Sequence, residues 1–398
     1  MSPLSSNAPH GQSPLRTVQV LGGGNAGSSA HVRSLAEGLV ARGVRVTVCA
    51  PVEADHAYDF LGVGAEHVHV PRSSDPVAVA ALRTACANAD LVHAHGLHAS
   101  FRTVLALSGR TTPLVVTWHN RAHAQGPRAH LLRLLERRVM RTASVVLGTS
   151  PDLVDRARRT GARDARLAAV ALPGRHRAGG LLDADALDTF DTLDPFDGPG
   201  RDDPDRLRPK TRAELGATGR PLLIAVGSLD RHRGYDVLLD AARAWRALDP
   251  VPLVVVAGEG PLRPVLQRRI EDEELPVRLI GHREDVPELL AAADLALLTS
   301  SWESRSVLAQ EALHARVPLV ATRVGGIPDL VGDAAELVPY GDPEALADTV
   351  VRLLADPERC AVLRERGTRQ AATWPTEDET VAQVLSVYDE LTQPRPLA

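Results

Sequence analysis

Two glutamates, Glu303 and Glu311, stand with seven residues between them in Ser300-Ser301-Trp302-Glu303-Ser304-Arg305-Ser306-Val307-Leu308-Ala309-Gln310-Glu311. The first falls in the loop after an apolar run and the second two turns into the helix that follows. Both can then face a ligand held over the helix N-terminus, where free N–H groups favour phosphate. Two carboxylates beside an anion site suit sugar hydroxyls, each accepting a hydrogen bond. That spacing arises often by chance, so it needs company. Upstream, Val226-Gly227-Ser228-Leu229-Asp230-Arg231-His232-Arg233-Gly234-Tyr235-Asp236 is a strand-to-helix turn carrying two arginines, and downstream lies Thr322-Arg323-Val324-Gly325-Gly326-Ile327-Pro328. Arginine near a helix start clamps a diphosphate through charge-assisted bonds worth about 1.5–3 kcal/mol each.

Two further constellations lie in the first half of the chain. Gly22-Gly23-Gly24-Asn25-Ala26-Gly27 satisfies G-x-G-x-x-G between a strand and a helix, a turn that brings backbone N–H groups close to an anionic or hydroxylated ligand. A dinucleotide site would also need an acidic residue at the tip of the second strand; that tip is Cys49-Ala50-Pro51. Histidines gather at His93, His95 and His98, with His119 and His123 after another strand. An H-x-H pair at a strand end can hold a divalent ion, but no later Asp or His at a strand end is an obvious remaining ligand, and we expect a polar cluster lining a ligand site, with no metal.

The elements that must position these groups alternate. Expected strands at 17–21, 44–50, 91–95, 114–118 and 144–149 are interleaved with helices at 30–42, 75–88 and 128–142, the pattern of a parallel sheet covered by helices. A second series runs through strands at 222–226, 253–257, 277–280, 295–299 and 319–322, ending in helices at 343–355, 357–372 and 377–390. Between them, residues 182–208 hold nine aspartates and little periodicity. The expected organisation is a disordered tail (1–15), a Rossmann-like domain (16–174), an acidic Pro-rich linker (175–215), a second Rossmann-like domain (216–375) and a C-terminal helix (376–398). The fold class is α/β, with two doubly wound parallel sheets facing a cleft.

Composition narrows the function classes. The 398 residues are 44% hydrophobic, 24% charged and only 3% aromatic, with a net charge of -5. A basic field tracking phosphates and an aromatic platform for single strands are both absent, so no nucleic-acid partner is expected. No apolar run reaches a membrane span of about 20 residues. The start of the chain has no basic and apolar signal pattern, and Cys49, Cys86 and Cys360 are far apart, so a cytoplasmic protein is expected. The leucine- and arginine-rich helix at 128–141 suits covering a sheet; contact with the inner membrane face is the secondary reading. Lys210 is the sole lysine, so sites that ordinarily use lysine must use arginine.

Taken together, these residues resemble the family 4 retaining glycosyltransferases of the GT-B fold. The matching segments are AGSSAHVRSLAEGLVARGVRVTV, DLVHAHG, VVTWHN, VGSLDRHRGYDVLLDA, VVAGEGPL, LIGHREDVPELLAAADLALLTSSWE, QEALHARVPLVATRVGGIPDLV and PYGDPEALADTV. The resemblance implies that the first domain (16–174) binds the acceptor, that the second (216–375) binds a nucleotide diphosphate sugar donor, that the C-terminal helix (376–398) packs back on the first domain, and that no metal or other cofactor is needed. It places Gly27 at the donor diphosphate, His119 by the reacting sugar, Glu303 on the donor sugar hydroxyls and Glu311 on the ribose. Arg231 and Arg233 would meet the diphosphate, Gly281, His282 and Arg283 would pass the base, and Arg305, Ser306 and Val307 would complete the donor site. His31, His95 and Asn120 are the expected acceptor-side residues. The chain departs from the family pattern where Ser228 replaces the usual arginine, Arg233 the usual lysine, and Ser304-Arg305-Ser306 a glycine-rich stretch, with Ala26-Gly27 in place of a glycine pair a milder change. Arg305 is therefore expected to add a donor contact. A sugar-nucleotide epimerase, a phosphorylase, a dehydrogenase and a non-catalytic nucleotide-sugar binder remain as alternatives at this point.

Overall fold

The computed structural model describes residues 14–22, 26–72, 76–121, 127–172 and 204–393. The tail, the centre of the glycine turn, His123 and most of the expected linker lie outside them.

In chain order the first half builds β1 (Arg16–Leu21), α1 (Ala26–Ala41), β2 (Arg45–Ala50), α2 (Val52–Tyr58), β3 (Glu66–His69), α3 (Pro76–Ala85) and β4 (Leu91–His95). It continues with α4 (Leu97–Ala106), β5 (Leu114–Trp118), α5 (Pro127–Thr142), β6 (Val145–Gly148), α6 (Pro151–Thr160) and β7 (Ala165–Leu167). The second half builds α7 (Pro204–Glu214), β8 (Leu222–Val226), α8 (Tyr235–Trp245), β9 (Leu253–Ala257), α9 (Arg263–Asp272), β10 (Val277–Gly281), α10 (Val286–Ala292) and β11 (Leu295–Leu298). Then follow α11 (Val307–His314), β12 (Leu319–Thr322), α12 (Ile327–Val331), β13 (Ala335–Val338), α13 (Pro343–Ala355), α14 (Pro357–Ala371) and α15 (Glu377–Thr392).

Contacts divide the described chain into two units: residues up to Gly148 with 154–172 and everything from Pro375 on, and residues 149–153 with the stretch ending at Trp374. The first holds a seven-stranded sheet of order β3-β2-β1-β4-β5-β6-β7 and the second a six-stranded sheet of order β10-β9-β8-β11-β12-β13. Every pairing in both is parallel. Parallel strands buried on both faces read as continuous apolar runs, which is what LLIAV, LVVVA and LALL are. In each sheet the order reverses beside the first strand of the unit, and strand ends there present their following loops to a ligand.

Helix α15 closes the first unit. Its Val381, Val384, Val387 and Tyr388 join the core formed by Leu21, Val32, Leu35 and Leu39. Gly38 makes this fit, since a Cβ there would lie 2.4 Å from Val381 Cγ2. Thr376 starts the helix with a capping box to Glu379.

One expectation is corrected. The linker was drawn to residue 215, but 204–214 is helix α7, bound to the second unit. Arg208 and Arg212 donate to the carbonyls of Ala291, Ala292 and Ala293 at the end of α10 and to the carboxylate of Asp294. Cations at a helix C-terminus meet its unpaired carbonyls, so a charged, proline-containing stretch folds here through tertiary partners.

Candidate functional site

In the second unit the turn after β8 and the loop after β11 are stitched together. Ser301 donates its backbone N–H (2.7 Å) and hydroxyl (3.1 Å) to the carbonyl of His232, and Thr299 Oγ1 donates to the carbonyl of Arg233 at 2.8 Å. Gly234 allows the approach: its φ is +66°, and a Cβ would stand 2.1 Å from the Thr299 carbonyl oxygen. The result brings Arg233 against Glu303. Glu303 Oε1 accepts from Arg233 Nη1 and, at 2.9 Å, from the Ser300 hydroxyl. Burial pushes the Glu303 carboxyl above its ordinary pKa, while the Arg233 charge and the Ser300 bond pull it back. Arg233 Nε is buried without a hydrogen-bond partner. From the other side, Gly326 N–H holds the Glu303 carbonyl at 2.9 Å.

Ser306 caps α11, its hydroxyl accepting from Ala309 N–H at 3.3 Å, and Val307 at the first helical position is exposed. Glu311, half-buried, sits little more than one turn into α11, because the helix starts at Val307; the expected two turns are thus corrected. Arg305 is tethered to buried Gln310, donating from Nη2 to Oε1 at 3.1 Å, with Nε buried and unpartnered. Burial lowers its pKa to about 10. Arg231 is exposed on the 3-10 turn Arg231–Arg233. At the end of β10, Gly281 accepts from Gly258 N–H at 2.7 Å, His282 is exposed, and Arg283 is drawn to Asp285 through two side-chain bonds.

In the first unit the register of β1 on β4 sets Gln19 beside His93, and that of β4 on β5 sets His95 beside Thr117. Strand periodicity puts His93 and His95 on one face, where α1 adds His31 and the end of β5 adds His119. Gln19 Nε2 donates to the Tyr388 hydroxyl (2.9 Å), which is hydrogen-bonded to His93 Nδ1 (2.7 Å), and His93 Nε2 is hydrogen-bonded to Thr117 Oγ1 (2.7 Å). His95 Nε2–H donates to Gln19 Oε1 at 3.0 Å, so its Nδ1 carries a lone pair, 3.4 Å from His119 Nε2. Burial holds His31 at a pKa of about 4 and His93 at about 3, and keeps His95 and His119 well below the histidine range. All four are neutral at pH 7.

The structure thus gathers Arg233, Glu303, Ser306 and Val307 about the start of α11, and His31, His95 and His119 about the end of β4. It does not bring His98 into that cluster: Gly96 turns the chain directly into α4, and His98 faces solvent. Asn120 is exposed beside His119, and Gly27 lies in the first turn of α1. Sequence reasoning missed Gln19, Thr117 and Tyr388, which orient the histidines. A glutamine in the middle of an apolar strand was the available signal for the first.

Comparisons with known proteins follow the same division. Residues 26–173 match the family model described as glycosyl transferase 4-like domain, and residues 208–370 match glycosyl transferases group 1. The chain is 30% identical to alpha-D-kanosaminyltransferase of Streptomyces kanamyceticus over 323 residues, 75% of this chain and 77% of that one. It is 35% identical over 208 residues to D-inositol 3-phosphate glycosyltransferase of Salinispora arenicola, covering 48% of this chain and 46% of that protein. Among solved structures, Anabaena HepE in complex with UDP aligns with a TM-score of 0.74 at 18% identity, over 94% of this chain and all of that one. WaaG, a glycosyltransferase involved in lipopolysaccharide biosynthesis, aligns with a TM-score of 0.67 at 18% identity, over 95% and 100%.

Proposed function

The chain belongs to the group 1 glycosyl transferases, with the GT-B class of paired Rossmann-like sheets, and on that premise we propose that it transfers a hexose-type sugar from a nucleotide diphosphate sugar with retention of configuration. The observation that carries this reading is the Arg233–Glu303 pair beside the capped start of α11. A diphosphate over that helix start meets free N–H groups and the helix dipole, with the Arg233 cation held close by on Glu303. This neutralises the leaving group without a metal. Glu303 accepts from sugar hydroxyls and Glu311 from the ribose. Gly281, His282 and Arg283 border the base, and Gly27, His31, His95, His119 and Asn120 supply the groups on the acceptor and reacting-sugar side.

No carboxylate is assigned beneath the anomeric carbon in this scheme. The leaving phosphate takes the acceptor proton on the face from which it departs, and the protein supplies orientation and electrostatic stabilisation. A relative acts on kanosamine chemistry by its name and a structural neighbour holds UDP, which supports an aminosugar or glucose-type donor on a nucleoside diphosphate. The test is direct. Arg233→Ala and Glu311→Ala are expected to lose turnover by orders of magnitude with circular dichroism unchanged; wild-type turnover in either defeats the assignment.

A further inference from the structure

The H-x-H pair of β4 needs further ligands to hold an ion. The fold supplies two: His31 from α1 and His119 from the end of β5 join His95, each offering one ring nitrogen, all within 4.8 Å of one another. We propose that His31, His95 and His119 form a binding site for a divalent transition ion of the zinc class.

Two observations carry this. At zinc–nitrogen distances of about 2.0–2.1 Å and tetrahedral angles, two imidazole ligands stand about 3.3–3.4 Å apart. His95 Nδ1 and His119 Nε2 are 3.4 Å apart. Next, His95 is oriented as a metal ligand is. Its far nitrogen donates to the carbonyl oxygen of Gln19, whose amide is itself fixed by Tyr388, and this leaves Nδ1 as the lone pair facing His119. The rings of His31 and His119 meet edge to face at 5.3 Å between centroids, and drawing His31 inward completes three corners of a tetrahedron. His119, the least buried of the set, marks the side on which an ion enters and a water or hydroxylated ligand takes the fourth corner.

The test uses the full chain stripped of metal with a chelator. Titrated with zinc and passed through gel filtration, it is expected to retain one equivalent per chain, and cobalt in its place is expected to give the visible absorption of a four-coordinate ion. His95→Ala should weaken binding at least about 100-fold, beyond the roughly 10–100-fold expected for loss of an orienting partner. His119→Gln, at the more open edge, serves if the buried variant does not fold. His98→Ala, exposed on α4, should bind as the parent does. No retained zinc, or equal retention in His119→Gln, would overturn the proposal. Binding is read on the protein alone, so its failure leaves the transferase reading standing, and loss of that reading leaves this one.

Discussion

At the scale of single residues, the account rests on a carboxylate whose charge is held by two partners. A raised pKa means that folded Glu303 takes its proton at higher pH than an ordinary glutamate. Activity that needs the carboxylate therefore falls, as pH is lowered, before the usual range near 4.5 is reached. Ser300 donates to the charged form. Ser300→Ala should move the acid limb of the kcat/KM profile upward, and Glu303→Gln should abolish that limb along with most of the activity. An acid limb unmoved by Ser300→Ala would show that another group titrates. Arg305 tests the departure from the family pattern. Its fork is half committed to Gln310, with Nε buried and unpaired, so Arg305→Ala should raise donor KM several-fold with little change in folding. An unchanged donor KM removes Arg305 from the site. The glutamate pair and the arginine turn were legible in the sequence because their chemistry is local. The tether from Arg305 to Gln310 was not, since it depends on the packing of α11.

At the scale of elements, strands β4, β5, β8, β9 and β12 appear where their apolar runs begin and end, because both faces of a parallel strand demand burial. Elements that the sequence did not mark are short or highly charged. Strand β3, EHVH, lies at a sheet edge and alternates weakly, and α7 carries aspartate, arginine and Pro209 in the manner of a linker. Helix α4 was hidden because it starts one residue after β4, with Gly96 at φ +83° making the turn. The histidine network was half legible. The residues at strand ends stood out, while the helix that fixes them, α15, lies almost 300 residues away in the chain, its Tyr388 separated from His93 by 295 positions. Tyr388→Phe removes a fully buried hydroxyl and leaves Gln19 Nε2 and His93 Nδ1 without it. The cost should be about 2–4 kcal/mol, read as a lower denaturation midpoint at unchanged m-value. A cost below about 0.5 kcal/mol would mean that water or a neighbour replaces the hydroxyl.

At the scale of the whole molecule, the described residues form two units, one built on a seven-stranded and one on a six-stranded parallel sheet. Among the described residues no helix is long and apolar enough to cross a membrane. The second unit should report its ligand through stability. A nucleoside diphosphate at 100 times its Kd contributes about 2.7 kcal/mol, enough to raise Tm by several degrees, and the gain should vanish in Arg233→Ala. Uridine and guanosine diphosphates compared in one panel would fix the base. The central claim, transfer with retention, is tested most directly by proton NMR of the sugar released when water serves as acceptor for an α-linked donor, recorded before the anomers equilibrate. The account predicts that the α anomer forms first. First appearance of the β anomer, or no turnover of any donor whose diphosphate stabilises the protein, would contradict it.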